Sequence, residues 1–376
     1  MDRPYDIVLF GASGFTGALT AAYLAGAVPP GARWALAGRD RAKLERLGLD
    51  VPILTADAAD RAALADLAAR TRVLATTVGP YVTHGGPLVA ACAEAGTHYL
   101  DLTGEPEFVD RTYLLHHDLA ARTGAKLVHA CGFDSVPWDL GVLHTVGKLP
   151  ENVPLTVSGF LRASGRPSGG TLSTALTVAG RTRQAAEAAA RRRAVEPRPK
   201  GRRISSRPGG LRYVGGWALP MPTLDPLIVG RSARLLDRYG PDFTYRQHYA
   251  VRTLPAALAT AAGAGAFAAA AMLPPARALL RDRLLRPGQG PSPEQRARSW
   301  FRATFLGEGG GERVVTEVAG GDPGYDATAR MLGESALCLA FDELPDRAGQ
   351  LTTASAMGQT LIDRLVRAGI TFTVRS

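Results

Sequence analysis

Seven residues near the N-terminus, Gly11-Ala12-Ser13-Gly14-Phe15-Thr16-Gly17, have the types and spacing to hold an anion. They follow the apolar run Tyr5–Phe10 directly and open the helical stretch FTGALTAAYLAG. One glycine makes the tight turn out of a strand. One lets backbone approach a pyrophosphate, and one lets the helix pack close to the sheet. Phosphate oxygens then meet free N–H groups at a helix N-terminus, where the dipole also favours negative charge. The spacing is GxxGxxG rather than GxGxxG. Its place in a first strand–turn–helix is what turns a weak glycine pattern into a dinucleotide site; the alternative is a tight turn alone.

The end of the second apolar run points to the kind of dinucleotide. An NAD site places an acid there for the ribose 2′-hydroxyl. Here the residues are Trp34-Ala35-Leu36-Ala37-Gly38-Arg39, with Lys43 one turn later. The planar fork of Arg39 suits a 2′-phosphate, which argues for NADP(H). Against this stands Arg39 as a solvated residue before a helix that Asp40 caps. Asp57 ends the third run, where it meets an adenine or caps a helix. Thr76-Thr77-Val78-Gly79-Pro80-Tyr81 ends the fourth. Ligands of open α/β sheets bind outside the carboxyl ends of strands, so Thr77, Gly79, Pro80 and Tyr81 border the nicotinamide side.

These positions need a scaffold, and the first 148 residues supply one. Apolar runs at Tyr5–Phe10, Trp34–Ala37, Val51–Leu54, Val73–Val78, His98–Leu102 and Lys126–His129 alternate with Ala/Leu-rich helical stretches. Fully apolar strands alternating with helices predict a doubly wound α/β domain around a parallel sheet. After about Lys148 the pattern changes. Leu155–Ala163, Arg298–Leu306 and Arg313–Ala319 alternate partially, which predicts an antiparallel sheet in a second, α+β domain spanning 149–322, with a helix from about Thr171. Residues 323–376 carry helical spacing at Tyr325–Phe341 and Ala356–Arg367. They are expected to pack back on the first domain.

The totals exclude several classes. With 46% hydrophobic and 21% charged residues, the chain of 376 residues is globular rather than disordered. Cys92, Cys131 and Cys338 are odd in number and far apart, and the histidines lack ligand spacing, so neither a disulfide framework nor a metal site is expected. MDRPYDIVLFG enters a strand pattern at once and leaves no room for a signal peptide, which makes a cytoplasmic location the default. The net charge of +10 is concentrated: ten Lys/Arg between Arg181 and Arg207 less Glu187 and Glu196 give +8. No aromatic residue interleaves these charges, which argues against nucleic acid. A solvated face is one account of them; an acidic partner or anionic lipid head groups are the others.

Together, GASGFTG, ALAGR, TTVGPY, HYLDLTGE, GFDSVPWDLG and the C-terminal QLTTASAMGQTLIDRLVRAGI resemble the saccharopine dehydrogenase-like oxidoreductases, and within them the trans-acting enoyl reductase branch. The match spans nearly the whole chain with its motifs in order. The resemblance implies a Rossmann-type NADP domain, a second α+β domain and hydride transfer. Within that branch the substrate would be the double bond of a long acyl or polyketide chain on a carrier or synthase, and a homodimer or a peripheral membrane contact would fit. A saccharopine-type reductase of amino-acid imines is the alternative. A non-catalytic NADP-binding, lipid-associated protein is the third.

Hydride transfer often needs a proton donor opposite the nicotinamide. Tyr81 and Asp134 are the candidates, Tyr81 against a packing role and Asp134 against helix capping. Ser135, Thr103 and Glu105 also look like caps, and no YxxxK follows a plausible strand. One further stretch stands apart. Residues 253–276 hold 24 residues without a charge, half of them Ala, bracketed by Pro255 and Pro274-Pro275. As a helix it is marginal for a bilayer span. It is expected to be buried in the second domain, or else to wall a lipid-chain tunnel or touch a membrane between Arg252 and the arginines at 277–286.

Overall fold

The computed structural model describes residues 3–164, 169–214, 216–273, 275–276, 280 and 290–375. The arginines at 277–286 therefore lie outside the described residues. The first part of the chain runs β1 (Tyr5–Phe10), α1 (Phe15–Ala27), β2 (Trp34–Gly38), α2 (Arg41–Glu45), β3 (Ile53–Thr55), α3 (Arg61–Ala69), β4 (Thr71–Thr76), α4 (Tyr81–His84), α5 (Gly86–Ala95), β5 (His98–Leu100), α6 (Pro106–Thr123) and β6 (Lys126–Val128). Burial sets the strand composition. Residues 7–10 of β1 and all of β2 are buried, as a sheet covered on both faces requires.

The second part runs α7 (Val136–Val146), β7 (Leu155–Ala163), α8 (Gly169–Ala179), α9 (Thr182–Val195), β8 (Arg203–Pro208), β9 (Arg212–Tyr213), β10 (Trp217–Pro220), α10 (Asp225–Leu235), β11 (Asp242–Val251), α11 (Leu254–Met272), α12 (Pro293–Ala297), β12 (Phe301–Gly309) and β13 (Glu312–Gly320). The chain ends with α13 (Asp326–Phe341), β14 (Gly349–Leu351), α14 (Thr353–Ala356), α15 (Gly358–Arg367) and β15 (Thr371–Arg375).

Among the described residues the first sheet is parallel throughout, in the order β14-β6-β5-β4-β1-β2-β3. This is the expected doubly wound domain, with one addition. Its last strand, β14, comes from the C-terminal segment. The second sheet runs β15-β13-β12-β7-β11-β10-β9, with β8 also beside β11. It is mixed rather than antiparallel, because β7 and β8 both run parallel to β11. The sequence pattern missed β8 inside the basic segment, and also β11, whose alternation of buried Phe243, Tyr245 and Gln247 is interrupted by a second polar residue, His248.

Helix α7 packs under β7, β12 and β13, while α13 lies on α1, β1 and β4. A single apolar core joins Ile7 and Leu9 of β1 to Trp138 of α7 and Phe301 and Phe305 of β12. The chain after residue 323 also supplies β15 to the second sheet, so it ties into both bodies.

The uncharged stretch behaves unlike a core helix. Helix α11 is touched by α8, β10 and β11, yet only Ala257 and Ala271 along it are buried. The expectation of a buried helix is overturned. Its alanines give the sheet too little to grip, and no other described element covers it.

Candidate functional site

Local chemistry explains the first turn. Gly11 has φ +88°, a region closed to most L side chains. A Cβ on Gly17 would stand 2.3 Å from the carbonyl oxygen of Gly11 and 2.8 Å from Thr77 Oγ1, so α1 reaches this close to β1 and β4 only with glycine there. Thr77 Oγ1 donates to that same Gly11 oxygen at 3.0 Å. Gly14 is the N-cap of α1 and offers no side-chain cap, which leaves the first N–H groups of the helix for another acceptor. Ser13 and Gly14 are exposed beside them, Ala12 is buried beneath, and Gly38 closes the end of β2. The cradle that a Cβ would fill, together with the bare helix N-terminus, fits a pyrophosphate.

Arg39 follows β2 on the surface and makes no ion pair among the described residues. Asp40 does cap α2, accepting from Lys43 N at 3.0 Å. It also pairs with the Lys43 ammonium at 3.5 Å. Lys43 is thus engaged while the Arg39 fork is open, and Arg39 is the better fit for a 2′-phosphate. Asp57 turns one carboxylate oxygen onto Ala59 N at 2.9 Å, which makes it a turn former before α3. Phe15 packs edge-on against Tyr325 with centroids 4.7 Å apart and lies under Arg296.

A cavity of about 260 Å³ opens at the carboxyl ends of β4, β5 and β6. Thr16, Thr77, Gly79, Pro80 and Tyr81 form one wall, and Leu102 and Glu105 a second. Phe133 and Asp134, before α7, form the third. Ser173 and Thr174 of α8 cover it, and Pro323, Gly324 and Thr328 close the far side. The structure so brings Thr16, Thr77, Gly79, Pro80, Tyr81 and Asp134 together. Gly11, Arg39, Lys43 and Asp57 lie apart from the cavity, at the ends of β1, β2 and β3 or in α2. No Arg or Lys lines the cavity among the described residues.

The two acid candidates separate here. The Tyr81 hydroxyl donates to Thr76 O and accepts from Leu102 N, each at 3.2 Å, and the side chain is 6% exposed. Burial, with Asp101 nearby, pushes its pKa well above 10. Tyr81 braces the strand ends, its hydroxyl engaged with backbone on both sides, which leaves Asp134 the freer of the two acids. Asp134 makes no hydrogen bond or ion pair among the described residues, and it caps no helix. Burial raises its carboxyl to about 6. An acid of that strength, unengaged and facing a cavity, suits proton donation near neutral pH.

The surroundings hold Asp134 in place. Ser135, the N-cap of α7, sends its hydroxyl to Asp225 at 3.2 Å instead of to the helix. Asp225 also accepts from Thr223 at 2.5 Å and Gln247 at 2.6 Å, and burial raises it to about 8. Glu105 caps a neighbouring helix rather than its own, accepting from Tyr81 N at 2.9 Å and Val82 N at 2.8 Å. That fixes the start of α4 beside the cavity. Beneath it lies a pair that sequence reasoning missed. Buried Asp101 meets His129 Nδ1 at 2.7 Å, and its other oxygen accepts from Thr103 N and Ala130 N. Asp101 thereby ties the ends of β5 and β6 together. The cover from α8 was also missed, since its Ser173 and Thr174 come from the second domain without a motif.

Five of the ten cations in the basic segment are paired with acids among the described residues. Arg181 grips Glu107 of α6 with two contacts of 2.7 Å. Arg192 is buried against Gln350, Glu196 and the Tyr113 ring. Arg183 pairs with Glu187, Arg202 with Asp237 and Arg203 with Asp242.

Comparison with known proteins agrees with this geometry. Residues 7–129 match the saccharopine dehydrogenase NADP binding domain family. Over 98% of its length the chain is 41% identical to a Mycobacterium tuberculosis (strain H37Rv) protein provisionally named a trans-acting enoyl reductase (Rv2449c), of which 97% is covered. It is 38% identical, with the same coverage of each chain, to a Mycobacterium ulcerans protein named trans-acting enoyl reductase. Among solved structures, apo saccharopine dehydrogenase (L-Glu forming) from Saccharomyces cerevisiae superposes with a TM-score of 0.58 at 10% identity, covering 98% of this chain and 99% of that one. That likeness is one of fold. The chain therefore belongs to the saccharopine dehydrogenase-like oxidoreductases, in the trans-acting enoyl reductase branch, and is an NADP-dependent oxidoreductase.

Proposed function

We propose that this protein reduces the carbon–carbon double bond of an enoyl thioester, carried on a long acyl or polyketide chain, at the cavity beside Asp134. The observation that carries this reading is the Asp134 carboxyl, of raised pKa and unpaired among the described residues, in a cavity whose described lining holds no cation. A saccharopine-type substrate brings carboxylates that would need Arg or Lys partners, and the described lining offers none.

NADPH, when bound, supplies the hydride. Gly11–Gly17 and the N-terminus of α1 hold the pyrophosphate, and Arg39 takes the 2′-phosphate. Pro80 and Thr77 border the nicotinamide end. Asp134 keeps a proton at its carboxyl for the carbon or enolate oxygen that gains electron density. Tyr81, Glu105 and Asp101 keep the strand ends in register so that this proton stays in place. Ser173 and Thr174 shut out water from above.

In this reading the chain arrives on an acidic carrier of a synthase. Arg191, Arg193, Arg198, Lys200 and Arg207, the segment's cations without an acidic partner among the described residues, would meet it. The protein works in the cytoplasm in contact with the membrane where such lipids reside. The test is NADPH oxidation with a series of α,β-unsaturated acyl thioesters and, in parallel, with amino-acid plus oxo-acid pairs. Turnover with thioesters alone is expected. Turnover with the imine-forming pairs alone would overturn the assignment.

A further inference from the structure

Helix α11 is apolar on every side. Its single hydroxyl, on Thr260, is spent on Ala256 O at 2.8 Å. Leu258 and Met272 are each 62% exposed, and the mean hydropathy of the helix is 1.5. A soluble partner recognises one stripe of a helix. A helix apolar all round suits a medium that surrounds it. At 1.5 Å per residue the nineteen residues span about 28 Å. Topology excludes a simple crossing of the bilayer. The chain leaves the second sheet from β11 and re-enters it at β12, and both strands pair with β7, so both ends of the excursion lie on one side.

The surface beside the helix has the character of a head-group layer contact. The hairpin of β9 and β10, against which α11 rests, presents Leu211 and Tyr213 at 63% and 67% exposure. Tyr213 lies edge-on to Trp217. Aromatic rings of this kind favour the membrane–water boundary. On the second sheet a groove of about 300 Å³, bordered by Trp217, holds Arg162, Arg252 and Arg313 among apolar side chains. Arg162 and Arg252 have no acidic partner among the described residues, and Arg313 stands 3.9 Å from exposed Glu308. These cations suit anionic head groups.

We propose that α11 is a monotopic anchor, sunk lengthwise into the acyl layer of an anionic membrane leaflet, with Arg162 and Arg252 on the head groups. This deepens the enoyl reductase reading and rests on it for purpose alone: α11 packs on α8, and α8 covers the catalytic cavity, so the anchor sets that cover at the lipid surface.

The experiment is vesicle flotation of the full chain, with phosphatidylcholine alone and with added phosphatidylglycerol. Wild type is expected to float with the anionic vesicles and less with the neutral ones. The exposed pair Leu258→Asp/Ala262→Asp should lower the partition coefficient about tenfold or more, with NADPH affinity and melting temperature unchanged. Arg162→Glu/Arg252→Glu should erase the preference for anionic lipid. Wild type that stays soluble with both vesicle types overturns the anchor. So does a lipid-free dimer, seen by light scattering, that Leu258→Asp/Ala262→Asp converts to monomer, for that would make the helix an interface between copies. Flotation without turnover of any enoyl thioester upholds the anchor and removes only the reaction.

Discussion

Asp134→Asn should make the protein more stable and less active, and both effects should depend on pH. The carboxyl is raised from 3.8 to about 6 by burial alone. A group whose folded pKa is raised binds its proton more tightly in the native state, so the penalty is absent below 3.8 and complete above about 6. That distance corresponds to at most about 3 kcal/mol at pH 8 and to less than about 1 kcal/mol at pH 4. Asparagine carries no charge and escapes the penalty. Urea denaturation at pH 4 and pH 8 should therefore show the two proteins nearly equal at the lower pH and the variant ahead at the higher. Activity should move the other way. If the protonated form is the donor, wild-type kcat falls as pH rises through about 6, while the variant loses about 10²–10⁴ of kcat and that pH dependence with it. Asp225 and Glu105 stay in place in the variant, and Asp225, which the Asp134 charge helps to raise, is relieved in the same stabilising direction. A variant with full kcat, or one with no stability gain at pH 8, would refute the reasoning.

Other outcomes follow from single contacts. Arg39→Ala should weaken NADPH by about 10- to 100-fold in a fluorescence titration and leave NADH affinity unchanged, because only the 2′-phosphate uses the fork. Gly17→Ala should cost about 1–3 kcal/mol and abolish cofactor binding, since the new methyl meets the Gly11 carbonyl. Tyr81→Phe should cost about 1–2 kcal/mol, as Leu102 N loses its acceptor, with kcat retained. Arg181→Met should lower stability by about 1 kcal/mol, its guanidinium being partly solvated, and raise KM by loosening α8 over the cavity.

What was legible in the sequence was local. The strands of the first sheet are unbroken apolar runs, and GASGFTG announces a turn that only glycine can make. The absence of an acid after β2, with Arg39 in its place, distinguishes one dinucleotide from another at a single position. What stayed hidden is long-range. Glu105 looks like the cap of its own helix, yet it reaches back to Tyr81 and Val82. Ser135 looks like a cap and instead holds Asp225, ninety residues away. Asp101 and His129 sit at ordinary strand ends and become a pair only when β5 and β6 lie side by side. The charge of 181–207 reads as a patch because sequence separates several of its arginines from the acids they meet, Arg181 from Glu107 above all. Helix α11 could not be placed by composition, because an alanine-rich helix suits a core as well as a surface; only its neighbours decide.

The chain passes from the first body to the second at 129–135, returns at 321–325, and crosses once more between β14 and β15. Asp134 sits on the first passage and Pro323 and Gly324 on the second, so the first two crossings are themselves walls of the cavity. With three crossings and one apolar core shared between the sheets, the two bodies are stitched along a seam rather than strung on a single thread. The reaction centre lies in that seam. The distance from the acid to Thr77 and Pro80 is therefore set by the joint itself, and a change that loosens the joint anywhere along it is felt at the site.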